Sequence, residues 1–251
     1  MLTAPAKLGD LSVVLVRTRN PLNIGAAARA MSNFGAFDLR LVKPFEKAFR
    51  EAVSAVGART VLAEAREFDS IEGAVGDCGL VVGTTAIGNR ELQHPLYSLE
   101  EAAKKIRRRS AAAGRVAVLF GSEKTGLSNS DLSHCHWLLR IPTRQEHRAL
   151  NLAQAVAIVV YEFSRGALET TAKSKLRTAA ADMETLARIN RALRETLDLS
   201  GYVHPRSAAS ADEKLRRMLL RFDLSSADAQ VLLGMLRKIL WKLHSTEEET
   251  L

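Results

Sequence analysis

Cysteines and long apolar runs are both scarce in this sequence. Cys78 and Cys135 are the only cysteines in 251 residues. Two cysteines are too few for a disulfide framework, and their scarcity favours a reducing compartment. No stretch approaches the roughly 20 apolar residues that a membrane-spanning helix needs. Residues 1–8 lack the basic segment followed by an apolar one that is typical of a signal peptide. We therefore expect a cytoplasmic protein that has no membrane partner.

The common nucleotide-binding motifs are missing as well. Residues 121–128 read Gly-Ser-Glu-Lys-Thr-Gly-Leu-Ser and follow an apolar run that predicts a strand, which is where open α/β sheets bind ligands. The second glycine precedes Leu127 instead of a lysine, so the segment is not a P-loop. No G-x-G-x-x-G follows a strand, which argues against the common dinucleotide-binding fold. Taken alone, this glycine loop is as compatible with a plain turn as with a ligand site.

The histidines form no obvious metal or catalytic site. His134, Cys135 and His136 are adjacent, but neighbouring residues of a strand or helix point in different directions, and no second ligand cluster lies elsewhere. We therefore expect no metal. His94 and His147 lie in predicted loops, where either could touch RNA or be merely solvated. No arrangement of serine, histidine and aspartate suggests a catalytic triad.

An excess of basic residues is the clearest compositional signal. The chain has 36 Lys and Arg against 28 Asp and Glu, a net charge of +8. This balance favours an anionic partner, and nucleic acid first, because neutralised phosphates release counterions. The alternative is a solvated basic surface without a partner. The densest basic run, residues 104–109, could contact phosphate or complement the dipole of a helix end. Arg17, Arg19 and Arg29 are better placed to bind RNA because they flank the turn after the first predicted strand.

The first two thirds of the chain alternate between strand and helix patterns. Short apolar runs predict five strands, at residues 13–16, 39–42, 80–85, 116–120 and 137–141. Helical patterns lie at residues 24–34, 46–57, 98–109 and 151–165, and residues 58–67 are ambiguous. We expect Asn23 to cap the first helix and Gly35 to end it. The alternation predicts an α/β fold with a parallel sheet covered on both faces.

The last third of the chain differs in character. Residues 169–180 are polar and rich in alanine. Three helical patterns follow, at residues 182–199, 212–222 and 226–243, and the last has the apolar spacing of one helix face. We predict three parts: a domain over residues 1–166, a linker over 167–181 and a small all-helical domain over 182–251.

Three separated segments together resemble the SpoU branch of the SPOUT methyltransferases. They are residues 20–31 (Asn-Pro-Leu-Asn-Ile-Gly-Ala-Ala-Ala-Arg-Ala-Met), residues 119–127 (Leu-Phe-Gly-Ser-Glu-Lys-Thr-Gly-Leu), and Ile141-Pro142 with residues 150–156 (Leu-Asn-Leu-Ala-Gln-Ala-Val). Each segment is short, but their order and spacing make the match specific. The tail resembles the C-terminal extension of the TrmJ-type tRNA methyltransferases, so the resemblance covers nearly the whole chain.

The resemblance implies 2′-O-methylation of a tRNA ribose, with S-adenosylmethionine as the methyl donor. The usual target of this family is nucleotide 32 of the anticodon loop, a cytidine or a uridine. The resemblance also implies a SPOUT fold whose C-terminal part is threaded into a trefoil knot. Family members are homodimers, in which the arginine that faces the RNA comes from the partner subunit.

The family motifs also imply roles for individual residues. The cofactor pocket would be built from three loops, with Thr84, Thr85 and Ala86 in the first, Gly121, Ser122, Gly126 and Leu127 in the second, and Ile141, Pro142, Arg148, Ala149 and Leu150 in the third. The catalytic candidates are Arg29, Asn23, Asn151 and Glu123. Arg29 would approach the 2′-hydroxyl, and because arginine is a poor base we expect it to bind phosphate and stabilise a developing alkoxide. Glu123 is the one group in the motifs in an obvious position for a base.

One position departs from the family pattern. Ala149 stands where the family usually has serine, so any role of a hydroxyl there is lost. This substitution keeps open a catalytically weak RNA-binding protein. A related methyltransferase for ribosomal RNA or another tRNA nucleotide is a second alternative, which the helical tail disfavours. Asn151 could cap the following helix and act in the site at once, and the tail could serve dimerisation instead of tRNA recruitment.

Overall fold

The computed structural model describes residues 8–45, 58–86, 93–147, 149–165, 179–203 and 208–248. The predicted helix at residues 46–57 and Arg148 lie outside the described residues, as does most of the predicted linker. The domain boundaries at 166 and 181 therefore stay predictions.

Seven parallel strands form the centre of the molecule. They are β1 (Leu11–Val16), β2 (Asp38–Val42), β3 (Arg66–Phe68), β4 (Cys78–Thr84), β5 (Leu96–Ser98), β6 (Arg115–Phe120) and β7 (Trp137–Arg140). Their order across the sheet is β3-β2-β1-β6-β4-β7-β5, and every neighbouring pair is parallel. The five predicted strands are confirmed. The sequence does not predict β3 and β5, which are three residues long and lie at the two edges.

The helices lie on both faces of this sheet. They are α1 (Pro21–Asn33), α2 (Arg59–Ala63), α3 (Ile71–Val75), α4 (Leu99–Ala113), α5 (Asn129–Leu132), α6 (Leu152–Arg165), α7 (Met183–Leu199), α8 (Ala208–Arg221) and α9 (Ser226–Glu248), with a 3-10 turn at Gln145–His147. Three predicted helices of the first part are confirmed as α1, α4 and α6, and the three tail helices as α7, α8 and α9. Among the described helices, none has the length and apolar character to cross a membrane.

Alternate residues of each strand enter two separate apolar clusters. Val13 and Leu15 of β1 face the first cluster, under α1, α2, α4 and α6. Val14 and Val16 face the second, which includes Ile189 of α7, Leu219 and Leu220 of α8, and Leu233 and Leu236 of α9. The tail helices therefore share their core with the second face of the sheet.

The first turn of α1 differs from the expected one. Asn20 caps the helix, because its side chain accepts a hydrogen bond of 2.9 Å from the amide of Leu22. Pro21 occupies the first helical position, where its missing amide hydrogen costs nothing. The prediction that Asn23 is the cap is wrong, since Asn23 lies one turn inside the helix and is buried. Gly35 follows the end of α1 with a φ of 76°, as expected of a glycine that ends a helix.

A buried ion-pair cluster lies at the end of the sheet where β2 and β6 begin. The Arg40 side chain is 1% exposed and pairs with Asp38 at 2.7 Å and with Asp77 at 2.5 Å. Arg115 also pairs with Asp38, at 2.7 Å. This cluster lies at the end of the sheet opposite the carboxyl ends of the strands. It therefore stabilises the fold and does not approach the site described next.

Candidate active site

A cavity of about 360 Å³ lies at the carboxyl ends of β4, β6 and β7. The twelve predicted cofactor residues can be placed against it. Arg148 is outside the described residues, and Pro142 does not line the cavity. The other ten do: Thr84, Thr85, Ala86, Gly121, Ser122, Gly126, Leu127, Ile141, Ala149 and Leu150. Three segments that are far apart in the sequence therefore meet around one space.

The loop of residues 121–126 forms one wall of the cavity. Its ends are joined by a hydrogen bond of 2.9 Å from the Gly126 amide to the Ser122 carbonyl, and the Ser122 and Thr125 hydroxyls are 2.8 Å apart. Gly126 has a φ of 66°, a conformation that favours glycine. Gly121 is required for a different reason, because a Cβ atom there would overlap the backbone of Gly126 and Leu127. The loop therefore presents backbone atoms to the cavity.

The loop after β4 forms the facing wall. The Thr84 hydroxyl donates a hydrogen bond of 2.9 Å to the Leu119 carbonyl, and the Thr85 amide donates one of 3.1 Å to the Leu139 carbonyl. These bonds hold the ends of β4, β6 and β7 together at the cavity.

Apolar side chains that the sequence argument did not single out complete the walls. They are Phe120, Leu132, Leu139, Leu152 and Ala155. Four of them lie at or next to the end of a strand or in the first turn of a helix, and Leu132 ends α5, so strand ends were the main available signal. An apolar side chain in such a place is equally typical of the core, and sequence alone does not separate the two.

Three of the four predicted catalytic residues form one hydrogen-bonded chain. The side-chain amide of Asn23 donates a hydrogen bond of 2.9 Å to the Glu123 carboxylate. The side-chain amide of Asn151 donates one of 2.9 Å to the side-chain oxygen Oδ1 of Asn23. Asn151 also caps α6, because its oxygen accepts from the amides of Ala153 at 2.9 Å and Gln154 at 3.3 Å. The expectation that Asn151 caps this helix is confirmed. The chain joins the starts of α1 and α6 to the loop of residues 121–126.

Glu123 anchors the start of α1. Its carboxylate accepts hydrogen bonds from the backbone amides of Arg19 at 3.3 Å and Asn20 at 3.2 Å, besides the one from Asn23. Partial burial raises the pKa of Glu123, but these hydrogen bonds outweigh it and hold that pKa below its ordinary value. A carboxylate with a lowered pKa and three donors is a weak proton acceptor. Glu123 is therefore suited to position α1 and poorly suited to act as a base.

The three arginines proposed for RNA have different surroundings. Arg29 is exposed on α1, outside the cavity of its own chain, and its guanidinium has no partner among the described residues. Arg19 is exposed beside Glu123, and its guanidinium is equally free within the described part of the chain. Arg17 forms a two-pronged ion pair with Asp131. Arg17 is therefore already committed inside the protein, which makes Arg19 and Arg29 the stronger candidates for RNA contacts.

The histidines of the described ranges lie outside the cavity. The pKa of His134 is lowered to about 4, first because of burial and then because of Arg216. The pKa of His94 is also lowered to about 4, by burial and by Arg217 and Arg221. Across the described ranges, no three His, Cys, Asp or Glu side chains are grouped so that they could hold a metal ion.

Comparison with known proteins gives consistent results. A sequence profile described as the SpoU rRNA Methylase family matches residues 10–161. The chain is 34% identical over 250 residues to the tRNA (cytidine/uridine-2′-O-)-methyltransferase TrmJ of Sodalis glossinidius (strain morsitans), covering 97% of this chain and 95% of that protein. It is 35% identical over 240 residues to the tRNA (cytidine/uridine/adenosine-2′-O-)-methyltransferase TrmJ of Pseudomonas aeruginosa (strain UCBPP-PA14), covering 91% and 93%.

A solved structure shows the same likeness in three dimensions. The crystal structure of TrmJ from Z. mobilis ZM4 matches with a TM-score of 0.78 and 35% identity, over 91% of this chain and 98% of that one. The family profile spans more than half of the chain and includes all three segments that surround the cavity. The chain therefore belongs to the SpoU rRNA Methylase family.

Proposed function

We propose that this protein methylates the 2′-hydroxyl of nucleotide 32, a cytidine or uridine in the anticodon loop of tRNA, in the cytoplasm and with S-adenosylmethionine as donor. The observation that carries the proposal is the meeting of three distant motif segments around one cavity at the carboxyl ends of the strands. The names of the relatives that match over nearly the full length favour tRNA over ribosomal RNA as the substrate.

The cavity suits an organic cofactor. Its volume of about 360 Å³ lies within the range of roughly 300–1,000 Å³ that is common for such sites. Leu127, Ile141 and Leu150 offer apolar surface for a purine ring, and the loop of residues 121–126 offers backbone polar groups. When bound, the sulfonium cofactor supplies an already activated methyl group, so we propose that no metal ion takes part. The protein then has to align the ribose hydroxyl and handle its proton.

We propose that Arg29 is the residue that approaches the 2′-hydroxyl of the target ribose. A guanidinium can hold a phosphate through two hydrogen bonds and can stabilise the negative charge that develops on the hydroxyl oxygen. Arg19, with its free guanidinium beside Glu123, would hold a flanking phosphate. Asn23, Glu123 and Asn151 are positioning residues in this proposal, because their hydrogen bonds are spent on one another and on helix ends.

A homodimer would bring Arg29 to a cavity. Arg29 lies on an exposed face of α1 that also presents Leu22, which is 78% exposed. The neighbouring helix α6 exposes Ile158 and Tyr161, at 38% and 49%. Exposed apolar side chains on adjacent helices are typical of a protein interface. We propose that this face pairs with a second copy and that each Arg29 acts in the cavity of the partner.

We also propose that the chain after β6 forms a trefoil knot. β7 lies beyond β4 in the sheet, yet the following helix α6 returns to pack against α1. Asn151, just before α6, is joined through the side chain of Asn23 to Glu123 of the loop at residues 121–126, so the returning chain passes close to that loop, which supports threading. Knots are rare in proteins, and a crystal structure that traces the chain from β6 to α6 would test this one.

The proposed function is tested by mapping the product. Purified protein is incubated with methyl-labelled S-adenosylmethionine and total tRNA, and the modified nucleotide is located in isolated tRNAs. We expect label on the ribose of nucleotide 32, and none when that nucleotide lacks its 2′-hydroxyl. Label at another position, or on ribosomal RNA alone, would contradict the proposed substrate. A protein that binds tRNA but not the cofactor at millimolar concentration would be an RNA-binding protein instead.

The range of bases accepted is a separate question. One relative carries adenosine in its name besides cytidine and uridine. Transcripts of one tRNA that differ only in the base at position 32 would show whether the protein accepts cytidine and uridine alone or adenosine as well. We expect label on the cytidine and uridine transcripts, and equal label on an adenosine transcript would contradict the narrower range.

A further inference from the structure

The segment that follows the loop of residues 121–126 connects the cavity to the tail. We call residues 127–136 the connecting segment; it contains α5 and runs into β7. Leu127 and Leu132 of this segment line the cavity. Both side chains also belong to the second apolar cluster, which includes residues of α7, α8 and α9. A movement of the connecting segment would therefore change the shape of the cavity.

One side of the connecting segment is fixed from within the sheet. Asp131 of α5 accepts both prongs of the Arg17 guanidinium and a backbone hydrogen bond of 2.6 Å from Ser128. Arg17 directly follows β1 and precedes the backbone amides that bind Glu123. This contact ties the connecting segment to the proposed catalytic end of the molecule.

The other side of the connecting segment is fixed from the tail. Arg216 of α8 donates a hydrogen bond of 2.7 Å to the Ser133 hydroxyl and lies 3.3 Å from Nε2 of His134. Because the pKa of His134 is lowered, its ring is neutral near pH 7 and can accept that hydrogen bond. Asp212, one turn earlier on α8, pairs with the same guanidinium. Ser133 and His134 directly follow Leu132, so the tail contacts the connecting segment next to a residue of the cavity wall.

The junction around Arg216 is incompletely packed. A second cavity of about 180 Å³ lies there, lined by His134, Asn190, Asp212 and Arg216 among others. Asn190 is 7% exposed, and its side-chain oxygen has no hydrogen-bond partner among the described residues. The polar contacts of Arg216 therefore form a specific link between α8 and the connecting segment at a place where the packing leaves a cavity.

We propose that Arg216 is a positioning residue for cofactor binding, through which the tail holds the connecting segment in the conformation that the cavity needs. This inference rests on the proposed function, and it makes the affinity for S-adenosylmethionine depend on how the tail is seated. The link also works in reverse, because a coupling free energy between two sites is reciprocal. Occupation of the cavity would therefore tighten the seating of α8.

Cofactor binding without tRNA tests this role. Arg216→Ala should weaken the affinity for S-adenosylmethionine by about fivefold to tenfold, the size expected for the loss of one hydrogen bond of ordinary net strength. Lys214→Ala is the matched control, because Lys214 is an exposed cation on the same helix with no partner in the described structure; it should leave the affinity unchanged. Titration calorimetry gives the affinities, and hydrogen exchange should show faster exchange at residues 127–136 only in Arg216→Ala.

Two further variants separate positioning from general stability. Arg216→Lys keeps a donor for Ser133 and should recover part of the lost affinity. Leu236→Ala removes apolar packing from α9 without touching the Arg216 contacts, so it should lower the melting temperature while affinity is kept. If Arg216→Ala does not fold, Ser133→Ala removes the acceptor from the other side and should weaken binding in the same way.

Two results would overturn the inference. One is wild-type affinity in Arg216→Ala or, where that variant does not fold, in Ser133→Ala; the other is an equal loss of affinity in Leu236→Ala at the same drop in melting temperature. Either result would leave the proposed function standing, because wild-type protein would still bind the cofactor and methylate tRNA. A failure of the proposed function would appear instead as a wrong product with wild-type protein.

Discussion

Gly121 and Arg29 show how differently single residues contribute to this site. Gly121 acts through the absence of a side chain, since the backbone of Gly126 and Leu127 fills the space that a Cβ atom would need. In the proposed function, Arg29 acts through a side chain that has no hydrogen-bond or ion-pair partner within the described part of its own chain. The first is a requirement of shape, and the second would be a requirement of assembly with a partner subunit. The two residues should therefore fail in different ways when they are replaced.

Gly121→Ala should abolish measurable binding of S-adenosylmethionine and lower the melting temperature, because the added methyl group forces the loop of residues 121–126 apart. Titration calorimetry and a thermal melt provide the two readings. Gly234→Ala is the control, since an added Cβ on that exposed position of α9 meets nothing within 4 Å. An alanine there should leave binding unchanged and stabilise the helix by up to about 1 kcal/mol. Normal binding by Gly121→Ala would contradict the steric argument.

Arg29→Ala should lower methyl transfer by at least about 100-fold, as expected when a group that stabilises transition-state charge is lost. Affinity for the cofactor should stay close to that of the wild type. The rate is measured with saturating tRNA and cofactor, and the affinity by calorimetry. Arg59→Ala, which removes another exposed arginine without a partner in the described residues, should change neither. Equal losses of rate and cofactor affinity in Arg29→Ala would refute its assignment to the ribose.

Ala149 lines the same cavity. The resemblance to the family implies a serine at this position. Ala149→Ser should keep or raise the rate of methyl transfer, because the added hydroxyl restores the family pattern with little added volume. The measurement is kcat at saturating cofactor. A large drop would mean that this site uses a different arrangement.

At the scale of elements, two helix starts are joined by an asparagine pair. α1 begins beside Glu123, and α6 begins directly after its cap Asn151. A hydrogen bond of 2.9 Å between the side chains of Asn151 and Asn23 connects the two helix starts. α1 and α6 also pack against each other along the first face of the sheet. The cavity wall and the exposed face that carries Arg29 are therefore held by one rigid helix pair.

A double-mutant cycle would measure this link. Asn151→Ala should cost about 1–2 kcal/mol in the free energy of unfolding, because it removes the cap of α6 and the bond to Asn23. The two single changes and the double change Asn23→Ala/Asn151→Ala should show a coupling of about 0.5 kcal/mol or more. Urea denaturation supplies all the values. Asn20→Ala removes only the cap of α1 and should be additive with Asn151→Ala. Additivity of the first pair would show that the bond contributes nothing.

The elements that sequence predicts correctly are those with a strong repeating pattern. β1 and β6 contain uninterrupted apolar runs, at residues 13–16 and 116–120, because both of their faces are buried. β3, with the sequence Arg-Glu-Phe, has no such pattern since it lies at an edge and is largely exposed. Asn20 and Asn23 are equally good caps by residue type. Pro21, which favours the first helical position, was the sequence signal for Asn20, and the partners that hold Asn23 inside the helix come from distant parts of the chain. The contacts of residues as distant as Asn23 and Asn151 depend on the whole fold, which local patterns do not encode.

At the scale of the whole molecule, the two ends of the sheet carry different groups of charged side chains. The carboxyl ends carry the cavity and the free guanidinium of Arg19, and the opposite end carries the cluster around Arg40. Burial raises the pKa of Asp38, but hydrogen bonds from Arg40, Ser12 and Arg66 outweigh it and hold that pKa well below the ordinary value. Asp38 therefore binds a proton more readily in the unfolded chain than in the folded one.

Stability should consequently fall in acid. The contribution of Asp38 is fully present above its unfolded pKa, which is about 3.9, and is lost as the pH drops below that value towards the folded pKa. Asp38→Asn should flatten the dependence of the unfolding free energy on pH below about pH 4. Glu64→Gln, which removes an exposed carboxylate with no partner among the described residues, is the control and should leave the profile unchanged. Urea denaturation between about pH 2 and 7 makes the comparison, and identical profiles for Asp38→Asn and wild type would contradict it.

Removal of the central guanidinium should be more damaging than removal of either neighbour. Arg40→Ala leaves Asp38 and Asp77 without their buried counter-charge, and breaking such a pair costs about 3–5 kcal/mol. The free energy of unfolding at neutral pH is the measurement. A loss below about 1 kcal/mol, the level of an exposed pair, would show that Arg66 and Arg115 compensate.

The packing of the tail on the sheet has a consequence for the newborn chain. During synthesis, β1 must wait for β6, its parallel neighbour that begins at Arg115. The face that includes Val14, Val81 and Leu119 is partly covered by α3 and α5, and its cover is complete only when α7, α8 and α9 have left the ribosome. A translating ribosome therefore carries a nearly complete sheet with one apolar side that is only partly covered. Such a surface invites chaperones or aggregation, and a message truncated before α7 would yield a chain that keeps that side exposed.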